Sequence, residues 1–210
     1  MKRIGHKGAH TIEAGNTIAS FDVARDLNVD MIEFDVIRHP YPGGDLVIAH
    51  DPEDAAERAG STLLTLEAGL DHLAREEFSA IGLDVDMKHR GFELQLLDAL
   101  AERDLTGRTT ITTMYHESLQ LIREHAPKTG PRPRLGITIP KVSRDYLAMP
   151  SVVKPLLAAG IAKHRARQPA RVAGMLQRGE IDAVMAFHAV VTPRLVKAVH
   201  DAGGELYTWT

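Results

Sequence analysis

The most informative segment of the chain spans residues 31–51 and reads MIEFDVIRHPYPGGDLVIAHD. Its first part alternates apolar and acidic residues, a pattern typical of a β-strand with one covered face. Successive strand side chains point to opposite faces, so Glu33 and Asp35 share one face, roughly 7 Å apart along the strand. After a turn rich in proline and glycine, a second apolar run ends in His50 and Asp51. The segment therefore predicts two aligned carboxylates, with a histidine at the end of the next strand.

These residue types indicate chemistry as well as structure. Two carboxylates suit a hard divalent cation, and a histidine near them suits proton transfer at neutral pH. The alternative is an exposed edge strand whose acidic side chains are simply solvated. The apolar residues that alternate with the acids, Ile32, Phe34 and Val36, favour a covered sheet and hence a functional site.

Composition narrows the classes of function. The chain has 210 residues, 44% of them hydrophobic, which is enough for a sizeable core and predicts one domain over residues 1–210. The net charge of -3 argues against a surface for nucleic acid or anionic membranes. The absence of cysteine excludes disulfides and thiolate metal sites. No apolar run approaches the ~18 residues of a membrane helix, so we expect no integral membrane segment and a cytoplasmic location.

Strand and helix patterns alternate along the chain. A strand over residues 3–8 is followed by a helix that we expect Asn16 to cap, and that helix leads back to the strand holding Glu33. Such a β-α-β unit implies parallel strands. Residues 52–61 are polar and predict a surface loop. Further strands are predicted over residues 81–88, 109–114, 134–139, 181–188 and 205–210, and helices after Thr65, over 92–103 and 117–125, through most of 142–178, and after Thr192.

The alternation predicts an α/β fold with a parallel sheet. The polar residues cluster where the predicted strands end, which is where a (β/α)8 TIM barrel builds its active site. A doubly wound sheet would also bind ligands there, but no glycine-rich dinucleotide loop occurs. We therefore predict a (β/α)8 TIM barrel. The sequence supplies about seven of its eight barrel strands, so we expect a longer natural chain, or a partner chain, to provide the last helix and strand.

Several motifs together resemble a known family, in the same order and with similar spacing. They are Gly5-His6-Lys7-Gly8-Ala9, Gly15-Asn16-Thr17, Ile32-Glu33-Phe34-Asp35-Val36, His50-Asp51, Asp86-Met87-Lys88 and Tyr207-Thr208-Trp209-Thr210. This set is similar to that of the glycerophosphodiester phosphodiesterases and covers essentially the whole chain.

The resemblance implies an activity and a site. The family hydrolyses a small glycerol phosphodiester to sn-glycerol 3-phosphate and an alcohol, through a cyclic phosphate formed by the glycerol 2-hydroxyl. It uses one divalent cation, usually Mg²⁺ or Ca²⁺. A homo-oligomer is compatible with the sequence. The matching residues are His6 and His50 as catalytic acid and base, Glu33, Asp35 and Asp86 as metal ligands, and Lys7, Lys88 and Trp209 as substrate-binding residues.

The sequence leaves two of these assignments open, those of the third metal ligand and of Trp209. Asp84 shares a strand face with Asp86, although the family register and the nearer barrel mouth favour Asp86 as the third metal ligand. Trp209 stacks on the substrate or simply fills the top of the barrel.

The chain also departs from the family pattern. Lys7 replaces the arginine that usually follows the first histidine, which keeps the charge and loses the planar fork. Gly15 replaces a glutamate, unless Glu13 takes over its role. Two other functions stay open. The first is a related phospholipase D or lyase that acts on lysophospholipids with the same two histidines and three acids. The second, suggested by Gly15 and the missing last helix and strand, is a degenerate protein that binds phosphodiesters without catalysis. The second is disfavoured because all the acid, base and metal positions are present.

Overall fold

The computed structural model describes residues 1–127, 129–140 and 154–209, which contain nine β-strands and seven α-helices. The chain divides into two compact units. The first comprises Met1–Thr113 and Leu121–Arg134, and the second Met114–Gln120 and Leu135–Thr210. The boundary falls within helix α5 (His116–His125) and at the start of strand β7 (Arg134–Ile139). No helix in the described ranges has both the length and the apolar character needed to cross a membrane.

The first unit contains the segment from which the fold was predicted. Its strands are β1 (Ile4–Gly5), β2 (Met31–His39), β3 (Asp45–Ile48), β4 (Leu64–Thr65), β5 (Gly82–Met87) and β6 (Thr109–Thr113), and its complete helices are α1 (Ile18–Asp26), α2 (Pro52–Arg58), α3 (Leu66–Leu73) and α4 (Glu93–Ala101).

Strand β2 is the centre of this unit's sheet. It pairs in parallel with β5 along one edge, from Met31 opposite Gly82 to Val36 opposite Met87, and β6 continues the parallel sheet beside β5. Along its other edge, β2 pairs first with the short parallel strand β1 and then with the antiparallel strand β3. Strand β4 extends β3 in the antiparallel sense. Among the described strands, none therefore pairs with the stretch of β2 between β1 and β3 on that edge, and the candidate site lies there.

The alternation of apolar and acidic residues in β2 places the apolar side chains in the core, as predicted. Ile32, Phe34 and Val36 are fully buried, and the ring of Phe34 lies 5.7 Å from that of Phe21 on α1. The apolar face of the strand is thus covered by a helix, as expected for a strand inside an α/β fold. Covering that face leaves the intervening acidic side chains on the opposite face of the sheet.

The second unit is also α/β. Its strands β7, β8 (Ala183–Phe187) and β9 (Glu205–Trp209) are parallel, and its helices are α6 (Lys154–Gln177) and α7 (Pro193–Asp201). Thr192 caps α7 with Pro193 at the first helical position, as the sequence predicted. Within the described part of this unit, β9 has one strand neighbour, β8. Part of the helix predicted over residues 142–178 lies outside the described residues.

Two local predictions were wrong. Residues 52–58 form α2 instead of a loop, because Asp51 caps the helix by accepting from the Asp54 amide at 2.9 Å and proline occupies its first position. The N-cap of α1 is Thr17 and not Asn16, since the Thr17 hydroxyl accepts from the Ser20 amide. Asn16 has a left-handed backbone, with φ of 59°, which an N-cap residue does not adopt.

Candidate active site

Three carboxylates converge at the carboxyl ends of β2 and β5. Asp35 and Asp86 are directly paired across the two parallel strands, and Glu33 lies two residues earlier on β2. One oxygen of each carboxylate lies within 4.8 Å of the others. Glu33 is only 9% exposed and Asp35 is fully buried. Because all three candidate ligand atoms are carboxylate oxygens, the three residues fit a hard divalent cation such as Mg²⁺ or Ca²⁺.

Asp84, the alternative third ligand, lies outside this cluster. It is paired with Glu33 one layer deeper in the sheet and accepts a hydrogen bond from the Thr112 hydroxyl at 2.8 Å. Burial raises the pKa of the Asp84 carboxyl to about 8. Among the described residues, the geometry thus groups Asp86 with Glu33 and Asp35.

Two lysines bring positive charge to the carboxylates. The Lys88 ammonium lies 2.7 Å from Asp35 Oδ1 and 2.5 Å from Asp86 Oδ2, and the Lys7 ammonium lies 3.6 Å from Asp35 Oδ2. Two ammonium groups thus meet three carboxyl groups. A divalent cation bound among these carboxyl groups would favour their ionised forms.

The pKa values of the three carboxyl groups shift in different directions. Burial raises the pKa of Glu33 well above its usual value, and the charge of Asp35 adds to this. Burial also raises the pKa of Asp86. Burial acts in the same direction on Asp35, but the charges of Lys88 and Lys7 lower the pKa of this carboxyl below its ordinary range. Such opposed pKa shifts in adjacent groups are typical of functional sites.

The pKa of Lys88 responds to the same charges. Burial acts to lower it, but the carboxylates of Asp86, Asp35 and Glu33 raise it above the ordinary lysine value. Lys88 therefore remains a cation although its side chain is only 21% exposed.

His6 is positioned by a tight turn after β1. Lys7 and Gly8 both have left-handed backbones, with φ of 52° and 78°, and a Cβ added at Gly8 would lie 2.5 Å from the Ser20 hydroxyl. The turn lets the Lys7 amide donate to Glu33 Oε2 at 2.7 Å and places His6 Nε2 3.9 Å from the same oxygen. Burial lowers the pKa of His6 to about 4. The imidazole is thus next to the carboxylate cluster.

His50 lies two residues after the end of β3. Its amide donates to Asp54 Oδ2 at 2.8 Å, and its ring Nδ1 lies 2.8 Å from Asp51 Oδ2. This contact places the ring proton on Nδ1, so Nε2 is left for proton exchange. The charge of His50 also contributes, after burial and the two lysines, to the pKa shift of Asp35. Both predicted histidines are therefore electrostatically coupled to the carboxylates.

Asn16 is a site residue whose role the sequence did not reveal. It is 1% exposed, its amide donates to Asp35 Oδ2 at 2.9 Å, and its side-chain oxygen accepts from the Asp35 backbone amide at 3.2 Å. On the edge of β2 opposite β5, the Asn16 side chain thereby bonds to the backbone where a neighbouring strand would. The Gly-Asn-Thr motif was the available signal, but it was interpreted as a helix cap.

The two departures from the family pattern are linked in space. A Cβ at Gly15 would lie 2.9 Å from the Cβ of Lys7 and 3.0 Å from that of His10. A larger residue at position 15 would therefore displace the lysine whose ammonium group faces Asp35. The Glu13 side chain, which the sequence offered as a substitute, is exposed.

Trp209 lies on β9 in the second unit. Its ring centroid is 5.1 Å from that of Phe187 on β8, and its indole Nε1 is buried without a hydrogen-bond partner among the described residues. The two rings are tilted by 44° to each other, so Trp209 makes an aromatic contact with the neighbouring strand. Contact between Trp209 and a substrate stays a prediction.

Comparison with known proteins supports the fold at the level of structure. Neither a protein-family model nor a curated protein sequence matches the chain. Solved structures do match it over its full length. A glycerophosphodiester phosphodiesterase from Parabacteroides distasonis matches with a TM-score of 0.68 and 19% identity, covering 100% of this chain and 83% of that one. One from Agrobacterium tumefaciens matches with a TM-score of 0.65 and 17% identity, covering 100% and 87%.

A third match carries a ligand. It is a phosphodiesterase from Oleispira antarctica in complex with the product sn-glycerol-3-phosphate, with a TM-score of 0.68 and 16% identity, covering 100% of this chain and 84% of that one. At these identities the similarity establishes the fold. The prediction of the α/β fold of TIM-barrel glycerophosphodiester phosphodiesterases is thus confirmed.

Proposed function

We propose that the chain is a metal-dependent glycerophosphodiester phosphodiesterase, which is a phosphoric diester hydrolase. The observation that supports this most is the convergence of three carboxylate oxygens within 4.8 Å of one another on this fold. The ammonium group of Lys88 contacts two of these carboxylates. The solved structures of the same fold include phosphodiesterases, one of them with sn-glycerol-3-phosphate bound.

The charges explain why an anionic diester can bind beside acidic residues. Glu33, Asp35 and Asp86 would hold one divalent cation, for which Mg²⁺ and Ca²⁺ are the candidates. When bound, such a cation stabilises the negative charge that develops on phosphoryl oxygens. Lys7 and Lys88 supply further positive charge for the nonbridging oxygens. Trp209 would contact the glycerol or alcohol portion.

His6 and His50 would carry the proton transfers. In the first step, the glycerol 2-hydroxyl oxygen forms a bond to phosphorus while the bond from phosphorus to the leaving alcohol oxygen breaks. One histidine takes the hydroxyl proton and the other protonates the departing oxygen. Water then opens the cyclic phosphate to give sn-glycerol 3-phosphate, with the two histidines in exchanged roles.

Turnover of a simple glycerophosphodiester tests the proposal. The purified chain with glycerophosphocholine should release choline and sn-glycerol 3-phosphate in the presence of Mg²⁺, Ca²⁺ or Mn²⁺. Excess chelator should abolish this release, and added cation should restore it. Full turnover in excess chelator by protein shown to hold no metal would contradict the role of the cation.

Product analysis separates the proposal from its two alternatives. A lyase accumulates the cyclic phosphate, and a phospholipase D of that kind acts on lysophosphatidylcholine in preference to glycerophosphocholine. A non-catalytic protein binds the diester and converts neither substrate. Phosphorus NMR of the reaction mixture distinguishes the open and cyclic phosphates directly.

A further inference from the structure

Arg58, at the end of α2, contacts three separate segments of the first unit. Its Nη1 donates to the carbonyl of Asn16 at 3.1 Å, and its Nη2 donates to the carbonyl of Ile48 at 2.5 Å. Its Nε lies 3.0 Å from Asp54 Oδ1, and the side chain is only 12% exposed. One guanidinium group thus joins the loop before α1, the last residue of β3 and helix α2.

Each residue that Arg58 contacts is in turn connected to a residue of the candidate site, either by a hydrogen bond or by a short stretch of chain. Asn16 exchanges two hydrogen bonds with Asp35, a member of the carboxylate cluster. Asp54 accepts from the backbone amide of His50 at 2.8 Å, and Ile48 precedes that histidine by two residues. Arg58 itself lies outside the cluster of carboxylates and lysines.

The Asn16 contact matters because, among the described strands, none pairs with Asp35 along the edge of β2 opposite β5. The pairing of β1 with β2 ends at Gly5 opposite Ile32, and the Asp35 amide bonds to the Asn16 side chain instead. The backbone of Asn16 is left-handed, with φ of 59°. This conformation is unfavourable for a residue other than glycine, so it needs support from its surroundings. The Arg58 guanidinium supplies such support at the Asn16 carbonyl.

We propose that Arg58 is a positioning residue that holds the metal-ligating Asp35 and the proton-transferring His50 in a fixed relation to each other. The inference rests on the proposed function for the roles of those two residues. A guanidinium suits this position because its planar fork donates in several directions at once, whereas a lysine ammonium is a compact point charge on a flexible stem. Arg58→Lys should therefore behave like Arg58→Ala.

The chain contains a matched control. Arg108 precedes β6, and its guanidinium likewise joins separate segments by donating to the backbone carbonyls of Leu73, Phe78 and Ile81. Leu73 ends α3, and Phe78 and Ile81 lie before the amino end of β5, away from the carboxyl end that carries the site. Arg108→Ala removes a comparable clamp without a contact to the site.

Backbone amide hydrogen exchange tests the proposal independently of activity. In full-length Arg58→Ala and Arg58→Lys, exchange of the Asp35 and His50 amides should accelerate about tenfold or more through local opening. The amides of Leu83 and Ile111 should keep their protection in these variants. Arg108→Ala should leave the Asp35 and His50 amides as in the wild type. Unchanged Asp35 and His50 amides in Arg58→Ala, or equal acceleration in Arg108→Ala, would overturn the proposal.

Kinetics and metal binding provide the second test. Loss of an outer partner of a metal site costs about 10–100-fold in metal affinity or activity, so Arg58→Ala should lose this much in Mn²⁺ affinity and in kcat on glycerophosphocholine. KM should change little, because Arg58 lies outside the cluster of carboxylates and lysines that is proposed to bind the metal and the phosphate. An unchanged kcat and Mn²⁺ affinity, or a loss confined to KM, would refute the positioning role. If the wild type shows no turnover, the proposed function fails, while the amide and Mn²⁺ measurements still decide the role of Arg58.

Discussion

Lys88 shows how oppositely charged residues of the candidate site stabilise one another. Its ammonium group lies against Asp35 and Asp86 in a largely buried cluster, and buried charges persist only when they are paired. Removing one member leaves its partner with uncompensated charge. Substitutions in this cluster therefore need neutral variants of similar shape and measurements of binding alongside activity.

The first residue-scale prediction concerns the three carboxylates. Glu33→Gln, Asp35→Asn and Asp86→Asn should each weaken Mn²⁺ binding by at least about 10–100-fold, since loss of a direct ligand should cost no less than loss of an outer partner. Calorimetric titration of the chelator-treated protein measures this. Asp84→Asn is the control, because its carboxyl faces Thr112 and should affect binding less. A larger loss in Asp84→Asn than in Asp86→Asn would show that the third ligand was misassigned.

The second residue-scale prediction concerns the histidines. His6→Ala and His50→Ala should each lower kcat by about 10²–10⁴, the usual contribution of a positioned general acid or base. The double variant should lose much less than the product of the two factors, because the groups act as a unit. His125→Ala is the control, since this residue ends α5 and its ring Nδ1 lies 2.9 Å from the Leu121 carbonyl one helical turn earlier. Wild-type rates in both single variants would remove the catalytic assignment.

At the scale of elements, helix α2 does more than connect two strands. Its N-cap, Asp51, also binds the His50 ring, and Asp54 in its first turn binds the His50 amide. A backbone hydrogen bond from Asp54 lowers the pKa of Asp51, which keeps it charged for both contacts. The helix thus orients the catalytic candidate that precedes it.

This dual role yields an element-scale prediction. Asp51→Ala and Thr65→Ala each remove the N-cap of a short helix, α2 and α3 respectively, and each should lower the free energy of unfolding by about 1 kcal/mol. Only Asp51→Ala should also lower kcat, because only Asp51 holds a histidine ring. Urea unfolding and steady-state kinetics measure the two effects. Equal activity in both variants would assign Asp51 a purely structural role.

At the scale of the whole molecule, the site depends on folding. The described residues form two compact α/β units, and the candidate metal ligands all lie in the first. Glu33 and Asp86 are far apart in the unfolded chain and meet only when β2 and β5 pair. A cation that binds them therefore favours the folded state. The expectation of a single domain over residues 1–210 stays a prediction.

Metal-dependent stability is the prediction at this scale. A divalent cation at one hundred times its Kd should stabilise the folded chain by about 2.7 kcal/mol and raise Tm by roughly 5–10 °C. Differential scanning calorimetry with and without Mn²⁺ measures the shift. Asp35→Asn should lose it, while Asp201→Asn, which changes an exposed acid paired with Lys197, should keep it. An equal shift in Asp35→Asn would place the stabilising cation elsewhere.

Features encoded by local periodicity were predictable from the sequence. The shared face of Glu33 and Asp35 follows from the two-residue period of a strand, and the caps Thr65 and Thr192 follow from residue types next to apolar helical repeats. Residues 52–58 are polar enough to predict a loop, but Asp51 and the proline after it are also cap signals, and in the structure the segment is a helix.

The sequence by itself determined the α/β class, the order of most strands and helices, and the acids and histidines that carry the proposed chemistry. Only the tertiary structure decided what holds them. Asn16 and Asp35 are 19 residues apart, and Arg58 and Asn16 are 42 residues apart. Neither contact has a local signature, since each depends on where β1 stops pairing with β2 and on which side chain then satisfies the exposed backbone amide. Local periodicity places a side chain on a face, and only packing of distant segments determines its partner.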